Sequence, residues 1–186
     1  MELGLTGRRA VVTGGSKGLG KAIAAELLAE GAAVAICARH ADELEETASE
    51  LREAATAGQQ LLALPCDVTD PARVSDFVAA ATAALGGLDI LVNNAGGARP
   101  GRFATLTDED WHDDIEVKLF SQIRCIRAAL PHLRASAAPR VININALYAR
   151  YPDPAFLASS VNRASCLNLS KALSIELAAR GSSLTA

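Results

Sequence analysis

The segment Thr13-Gly14-Gly15-Ser16-Lys17-Gly18-Leu19-Gly20 contains the residues whose types and spacing point most directly to a chemistry. The apolar run Ala10–Val12 precedes it, and Ile23, Leu27 and Leu28 follow it on one face of a predicted helix. Glycines clustered between a strand and a helix permit a tight turn and let the backbone approach a pyrophosphate, whose charge the helix N-terminus stabilises. An ordinary flexible turn also collects glycine, so this alternative stays open. The flanking strand and helix favour a dinucleotide site.

Apolar runs alternate with longer helical patterns along the chain, which predicts a parallel sheet covered on both faces. The predicted strands are Arg8–Gly14, Ala32–Ala38, Gln60–Cys66, Leu88–Asn93 and Arg140–Asn145. The predicted helices are Leu19–Glu30, Ala41–Ala57, Ala72–Leu85, Asp108–Leu133 and Pro154–Arg180. Capping residues support these bounds: Gly31 and Gly58 follow helices, Asp70-Pro71 begins one, and Thr107 with Asp110 forms a capping box. The fold class is therefore a doubly wound α/β sheet.

The amino-acid composition argues against several classes of binding partner. The chain has 186 residues, half of them hydrophobic and 4% aromatic, and a net charge of −3, which does not favour nucleic-acid binding. No apolar stretch is long enough to span a bilayer, and no signal peptide is recognised. Its four cysteines lack a Cys-x-x-Cys pair. They predict free thiols in a reducing cytoplasm and no metal site, so we expect a cytoplasmic protein without membrane or nucleic-acid partners.

Two further motifs accompany the glycine segment. Cys66-Asp67-Val68 ends the third predicted strand, and Asn93-Asn94-Ala95-Gly96 ends the fourth. Together the three motifs resemble the short-chain dehydrogenase/reductase family, particularly its 3-oxoacyl-reductase-like members. The resemblance extends from about Leu5 to Gly181 and includes the helix Leu169–Ala178. It implies one NAD(P)-binding, Rossmann-like domain over residues 1–186 with strand order 3-2-1-4-5 and without the family's last strands.

The resemblance also implies a cofactor site. Gly14, Gly18 and Gly20 would line the pyrophosphate near the Ser16 hydroxyl, Asp67 and Val68 would contact the adenine, and Asn94 and Gly96 would support the sheet and the nicotinamide-side ribose. The full predicted set is Gly14, Ser16, Lys17, Gly18, Leu19, Gly20, Arg39, Asp67, Val68, Asn94, Ala95 and Gly96. Without this context, Asn93-Asn94 is also compatible with a simple turn after a strand.

Charge at the end of the second strand distinguishes the two nicotinamide cofactors. Dinucleotide folds place an acid there to bind the ribose 2′-hydroxyl, and that acid would repel a 2′-phosphate. Ala38 occupies the position, Arg39 follows it, and Lys17 lies in the glycine turn. Two cations without an acid predict NADP(H), with NAD(H) as the alternative, unless both are simply solvated surface charges.

The family's catalytic residues are replaced at every position. The family reduces a carbonyl with a tyrosine that donates a proton, a lysine four residues later, a serine and an asparagine. These positions fall on Ser159, Arg163, Ala146 and Lys118, respectively, and no Tyr-x-x-x-Lys occurs anywhere in the chain. A serine hydroxyl cannot replace the phenol, because its pKa lies far above that of tyrosine.

Several interpretations of this end of the site remain. Tyr148 or Tyr151, in the loop after the fifth strand, could serve as a substitute acid or simply pack. Lys118 and Arg163, with Asn145, would form a pocket of two cations without a matched acid, which suits holding an anion better than proton transfer. The same substitutions could also mark a branch of the family with its own chemistry.

The chain's C-terminal residues depart from the resemblance. Gly181 fits the family, whereas Ser182–Ala186 does not, and we expect a premature stop or frameshifted tail, with a compact variant as the alternative. The fifth strand would then form an exposed sheet edge. Three functions follow as hypotheses: an active reductase of a small-molecule carbonyl or alcohol, an NADP(H)-binding pseudoenzyme, or a non-functional fragment. The family resemblance also implies a homodimer or homotetramer formed through Asp108–Leu133 and Pro154–Arg180.

Overall fold

The protein is a doubly wound α/β domain with one five-stranded parallel sheet. The computed structural model describes residues 3–55 and 59–179. The strand order is β3-β2-β1-β4-β5, as predicted, and every neighbouring pair is parallel. The strands are β1 (Arg9–Thr13), β2 (Ala33–Ala38), β3 (Leu61–Pro65), β4 (Ile90–Asn93) and β5 (Arg140–Asn143).

Helices connect the strands and cover both faces of the sheet. They are α1 (Gly18–Ala29), α2 (Ala41–Ala54), α3 (Pro71–Leu85), α4 (Asp108–Ile115), α5 (Ser121–Arg134) and α6 (Leu157–Ala179). A five-residue π turn, Glu116–Phe120, joins α4 to α5, and a short 3₁₀ turn, Leu147–Ala149, precedes α6. Among the described residues, no helix combines the length and the hydropathy that crossing a membrane would need.

Alternate strand residues enter two separate hydrophobic cores. In β1, Val11 points into one core with residues from α3, α5 and α6, whereas Ala10 and Val12 point into the other with residues from α1 and α2. Because successive side chains of a strand point to opposite faces, a strand buried on both faces must be apolar at every position. The same requirement explains the continuous apolar runs that predicted the strands.

Capping residues and a glycine explain where several of the helices begin or end. Asp70 caps α3 by accepting hydrogen bonds from the backbone of Ala72 and Arg73. Thr107 and Asp110 form the predicted capping box at the start of α4. Gly31 follows α1 with φ +86°, a backbone conformation that glycine adopts without strain. All four cysteines are buried and free, as expected.

Most predicted bounds agree with the structure to within one or two residues, and the larger differences lie in three helices. The single helix predicted over Asp108–Leu133 is interrupted by the π turn, and the last helix begins at Leu157 rather than Pro154. Helix α2 ends at Ala54, three residues before the predicted Ala57. Gly58, Arg180 and the tail 181–186 lie outside the described residues.

Strand β5 lies at one edge of the sheet as the structure describes it. It pairs with β4 along its length, from Arg140 opposite Ile90 to Asn143 opposite Asn93. Val141 is buried against the core, whereas Ile142 on the other face is 45% exposed. The edge predicted for the fifth strand is therefore present within the described residues.

Candidate functional site

A large cleft opens where the carboxyl ends of the strands meet. Strands β2 and β4 flank β1, and the chain leaves β1 and β4 towards opposite faces of the sheet, which is where doubly wound folds bind ligands. The cleft has a volume of about 920 Å³, near the upper end of the roughly 300–1,000 Å³ typical of ligand pockets. It is a pocket of suitable size for an extended ligand.

The glycine turn between β1 and α1 forms the floor of the cleft. Gly14 has φ +67°, and a Cβ added at Gly20 would lie 2.1 Å from the Gly14 carbonyl oxygen, so close helix–strand packing demands glycine there. Gly18 has φ +54°, and a Cβ added to it would meet no atom within 4 Å. The turn is therefore packed tightly from behind and open towards the cleft, as a backbone cradle for a ligand would be.

Asn94, after β4, holds this turn in place. Its side-chain amide donates to the backbone oxygens of Thr13 and Gly14, both at 3.0 Å. The Thr13 hydroxyl in turn accepts from the backbone N–H groups of Asn94 and Ala95 at 3.1 Å. These bonds tie the ends of β1 and β4 together, so the asparagine has a structural role that a simple turn former would not need.

One end of the cleft lies beyond β2 and β3. Arg39, directly after β2, is exposed and takes part in no ion pair among the described residues. Asp67 accepts hydrogen bonds from the backbone and hydroxyl of Thr69 at 3.0 and 2.8 Å. Burial opposes its charge, but these bonds and the positive charges of Arg39 and Arg73 leave the pKa of Asp67 lowered. Val68 and Thr69 line the cleft here, whereas Asp67 does not.

Lys17 does not stand free in the glycine turn. Its ammonium lies 2.9 Å from a carboxylate oxygen of Glu43, in the first turn of α2, and Glu43 also lines the cleft. The hydrogen bond from Lys17 lowers the pKa of Glu43. Ala38 does stand where the acid was expected at the end of β2, but the sequence analysis missed that α2 brings a carboxylate to Lys17.

The opposite end of the cleft contains a buried polar cluster, which we call the Lys118 cluster: Lys118, Asp114, Ser159 and Asn162. Lys118 Nζ donates to Asp114 Oδ1 and, at 3.1 Å, to Ser159 Oγ. The Ser159 hydroxyl also contacts Asp114 Oδ1 at 3.2 Å, and Asn162 Nδ2 donates to Asp114 Oδ2 at 2.8 Å. Each of the four is at most 3% exposed.

The charge balance of the Lys118 cluster corrects the sequence-based interpretation. Burial lowers the pKa of Lys118, and the Asp114 carboxylate opposes that shift. Lys118 therefore has a matched acid, and the prediction of an unmatched pair of cations does not hold. Asp114 was missed although it lies four residues before Lys118, the spacing at which two side chains meet on one helix face.

Arg163 extends the cluster towards the centre of the cleft. Its guanidinium donates to the Ile144 carbonyl at 2.7 Å, and a Cβ added at Gly96 would lie 3.1 Å from Arg163 Nη2. Burial lowers the pKa of Arg163. Asn145 donates to the backbone oxygen of Arg163 at 3.0 Å. Gly96 thus leaves the space that lets this guanidinium reach the cleft wall.

Neither tyrosine lies in the cleft wall of the described chain. Tyr148 stacks on Phe156 with ring centroids 5.2 Å apart, and Tyr151 is 69% exposed. Ala146, at the serine position of the resemblance, offers no hydroxyl. The packing alternative therefore agrees with the arrangement of Tyr148, whereas Tyr151 is exposed to solvent and lies outside the cleft wall.

The cleft brings together nearly all the predicted cofactor residues, although they come from four separate segments. Those that line it are Gly14, Ser16, Lys17, Gly18, Leu19, Arg39, Val68, Asn94, Ala95 and Gly96. Gly20 and Asp67 are next to lining residues in the sequence but do not line the cleft themselves. Besides Glu43 and Asp114, sequence analysis missed Arg99, whose guanidinium bonds Asp110 and Asp113 on α4 at 2.9 and 3.1 Å. Sequence offered no signal for Arg99, because it lies in the irregular segment between β4 and α4.

Comparison with known proteins gives consistent matches. The family model for short chain dehydrogenases matches residues 8–185. The 3-oxoacyl-(acyl-carrier-protein) reductase of Staphylococcus aureus strain Mu50 is 29% identical over 179 residues, which are 96% of this chain and 72% of that protein. Three further curated relatives are 34 to 37% identical, and the chain spans 65 to 70% of their length.

Solved structures of other proteins are also similar to this chain. A short-chain oxidoreductase from Pseudomonas aeruginosa PAO1, solved with NADPH bound and described as containing an atypical catalytic center, is 41% identical with a TM-score of 0.91, covering 95% of this chain and 68% of that one. L-sorbose reductase from Gluconobacter frateurii, complexed with NADPH and L-sorbose, is 32% identical with a TM-score of 0.93, covering 99% of this chain and 68% of that one.

Proposed function

The chain belongs to the short-chain dehydrogenase family, and from this premise we propose that it is an NADP(H)-dependent oxidoreductase acting on a carbonyl or alcohol group of a small molecule. One observation carries the proposal: a single cleft extends from Arg39 past the glycine turn to Lys118 and Arg163. A dinucleotide is an extended anion that needs such a cleft, with a phosphate cradle in the middle and room for a second reactant at one end.

The residues at the middle of the cleft fit the cofactor. Gly18 leaves its side of the turn open, and the backbone N–H groups at the start of α1 have no side-chain cap from Lys17. Unpaired N–H groups at a helix N-terminus favour an anion such as a pyrophosphate. Arg39 supplies a positive charge for a 2′-phosphate beyond β2, where an acid would repel it. The NADPH bound by two structural relatives supports this preference.

The Lys118 end of the cleft would hold the substrate. Bound NADPH would supply the hydride to a carbonyl carbon, and the substrate oxygen would then need a proton. Among the described groups of the wall, the Lys118 ammonium has a lowered pKa and a proton to give, whereas Arg163 keeps its charge and would polarise the oxygen. Ser159, at the family's tyrosine position, would position Lys118 from behind.

A second function is favoured by a specific observation. The Ser159 hydroxyl is 2% exposed and bonds to Lys118 and Asp114 instead of facing the cleft, and Ala146 lacks a hydroxyl. Both features remove the family's usual proton donor and oxygen ligand. They favour a protein that binds NADP(H) without turnover, which would act as a binding or regulatory pseudoenzyme.

A cofactor-binding assay and a turnover assay together distinguish the two functions. We expect NADPH to raise the melting temperature of the full chain more than NADH does. We also expect NADPH consumption with a panel of ketones and aldehydes, and a loss of about 100-fold or more in the double variant Asp114→Asn/Lys118→Met, which removes both buried charges together. Lys171→Met, at an exposed lysine of α6, is the matched control and should keep the full rate.

Each result has a defined meaning. No melting shift at millimolar NADPH would overturn cofactor binding. A clear shift without NADPH consumption by the wild-type chain would favour the second function. Equal rates for the wild type and the double variant would exclude Lys118 as the proton donor.

We further propose that copies of the chain associate through α5 and α6. Several apolar side chains of α6, and one directly before α5, are exposed by 38 to 64%: Val161, Leu167 and Ile175, and Phe120. Burying them against a second copy would remove apolar surface from water. Light scattering of the purified chain tests this association, and a monomer at all concentrations would contradict it.

A further inference from the structure

We propose that Glu43 limits the preference for NADPH over NADH by holding Lys17 with a carboxylate of this chain where a cofactor phosphate would otherwise bind. The inference rests on the proposed NADP(H) function and assigns a specificity-determining role to a residue of α2 that the resemblance does not include. Glu43 is a positioning residue in this account, because it acts through Lys17.

The geometry places a predicted phosphate ligand on a carboxylate of the chain itself. The Lys17 ammonium lies 2.9 Å from Glu43 Oε1, and this contact lowers the pKa of Glu43. Both residues line the cleft. A carboxylate that holds the cation of a phosphate site resembles the anion that the site is built to bind.

Helix α2 keeps this carboxylate at the turn. One turn after Glu43, the Thr47 hydroxyl donates to the Ser16 backbone oxygen at 2.5 Å, and Thr47 is buried. Farther along, Lys21 of α1 pairs with Glu50 of α2. Because these contacts fix α2 against α1, the Glu43 side chain cannot leave the cleft by a shift of its helix. It can leave only by changing its own rotamer.

The Glu43 carboxylate would therefore compete with the cofactor's 2′-phosphate for Lys17. A 2′-phosphate must displace Glu43 from Lys17 or accept a negative charge beside it, whereas the 2′-hydroxyl of NADH meets neither cost. Arg39 is then the cation that remains available for the phosphate, since it has no ion pair among the described residues. Lys17 is 77% and Glu43 34% exposed at the side chain, so solvent screens the pair and the effect is moderate.

Glu43→Gln tests this role. Glutamine keeps the length of the side chain and an acceptor oxygen, and it removes the charge opposite Lys17. We expect the dissociation constant for NADPH, measured by titration of the full chain at low salt, to fall about two- to five-fold, while that for NADH stays within error. The gain should shrink at about 0.5 M salt, where exposed charges are screened.

Two control variants keep the interpretation specific. Glu46→Gln makes the same charge change on the exposed side of α2 and should alter neither affinity. Lys17→Met should weaken NADPH binding, and Glu43→Gln added to it should give a smaller gain than Glu43→Gln alone. Melting curves without cofactor verify that all variants fold.

The possible failures are distinguishable. If the wild type binds neither cofactor, the proposed function fails, and this inference fails with it. If the wild type binds NADPH and Glu43→Gln leaves the NADPH-to-NADH affinity ratio unchanged, or improves both cofactors equally, only the role of Glu43 is overturned.

Discussion

Replacing Asp114 with asparagine would leave Lys118 as an uncompensated charge inside the protein. Lys118 and Asp114 are 2% and 1% exposed at their side chains, so water solvates neither charge well in the folded protein. Removing one partner of a buried pair typically costs about 3–5 kcal/mol. For a domain of this size, about 2–4 °C of melting temperature accompanies each kcal/mol, so we expect Asp114→Asn to lower the melting temperature by roughly 6–20 °C.

The loss should depend on pH with a defined sign. Burial lowers the pKa of Lys118 and Asp114 opposes that shift, so without Asp114 the pKa of Lys118 falls further. The folded variant then binds fewer protons than the unfolded chain, and its stability rises with pH relative to the wild type. Urea denaturation at pH 6 and pH 9 should show a smaller gap between the two proteins at the higher pH.

A neighbouring residue provides the control. Asp113 pairs with Arg99 but is 58% exposed at its side chain, so Asp113→Asn should cost at most about 1 kcal/mol. Adding Lys118→Met to Asp114→Asn should restore most of the lost stability, because the orphaned charge is removed. A cost below 1 kcal/mol for Asp114→Asn, or an equal cost at both pH values, would refute the assignment of a buried charge pair.

Two other substitutions test features away from this cluster. The Arg9 side chain lowers the pKa of Asp89 from 3.8 to about 2, so Asp89 contributes about 2 kcal/mol of stability that is complete above about pH 5 and is lost as the pH falls towards 2. Asp89→Asn should abolish this part of the acid sensitivity in pH-dependent urea melts, whereas Asp76→Asn, at an exposed site, should not. Gly20→Ala should greatly weaken both the fold and the NADPH-induced melting shift, because its Cβ would collide with the Gly14 carbonyl. Gly18→Ala, which meets open space, should cost only about 1–2 kcal/mol of backbone strain in the same thermal assay, and equal effects of the two would contradict the packing argument.

The elements of the fold were predictable because their signals are local. The Asp70 and Thr107 caps mark helix starts with side-chain hydrogen bonds to neighbouring backbone, and these bonds are present in the structure. The family resemblance and the strand order are confirmed as well. The π turn was not predictable, because nothing in Glu116–Phe120 distinguishes it from an ordinary helical turn.

The sequence predicted most of the residues that line the site, but it did not predict which of their charged side chains form ion pairs. The glycine turn and Asn94 have strong sequence signatures and lie in the cleft. Glu43 approaches Lys17 only because α2 packs on α1, a contact between residues far apart in the sequence. Asp114 and Lys118 do have helical spacing, but such pairs usually lie on the surface, and only the packing of α6 over them makes this one buried.

In the π turn, inserting or deleting a residue should disturb the structure more than substituting one. An α-helix advances about 100° per residue around its axis. Deleting a single residue from 116–120 would therefore swing all of α4, with Asp114, away from its present direction while α5 stayed in place. Relatives that share this cleft should accordingly vary in side chains across these five positions yet contain no insertions or deletions there.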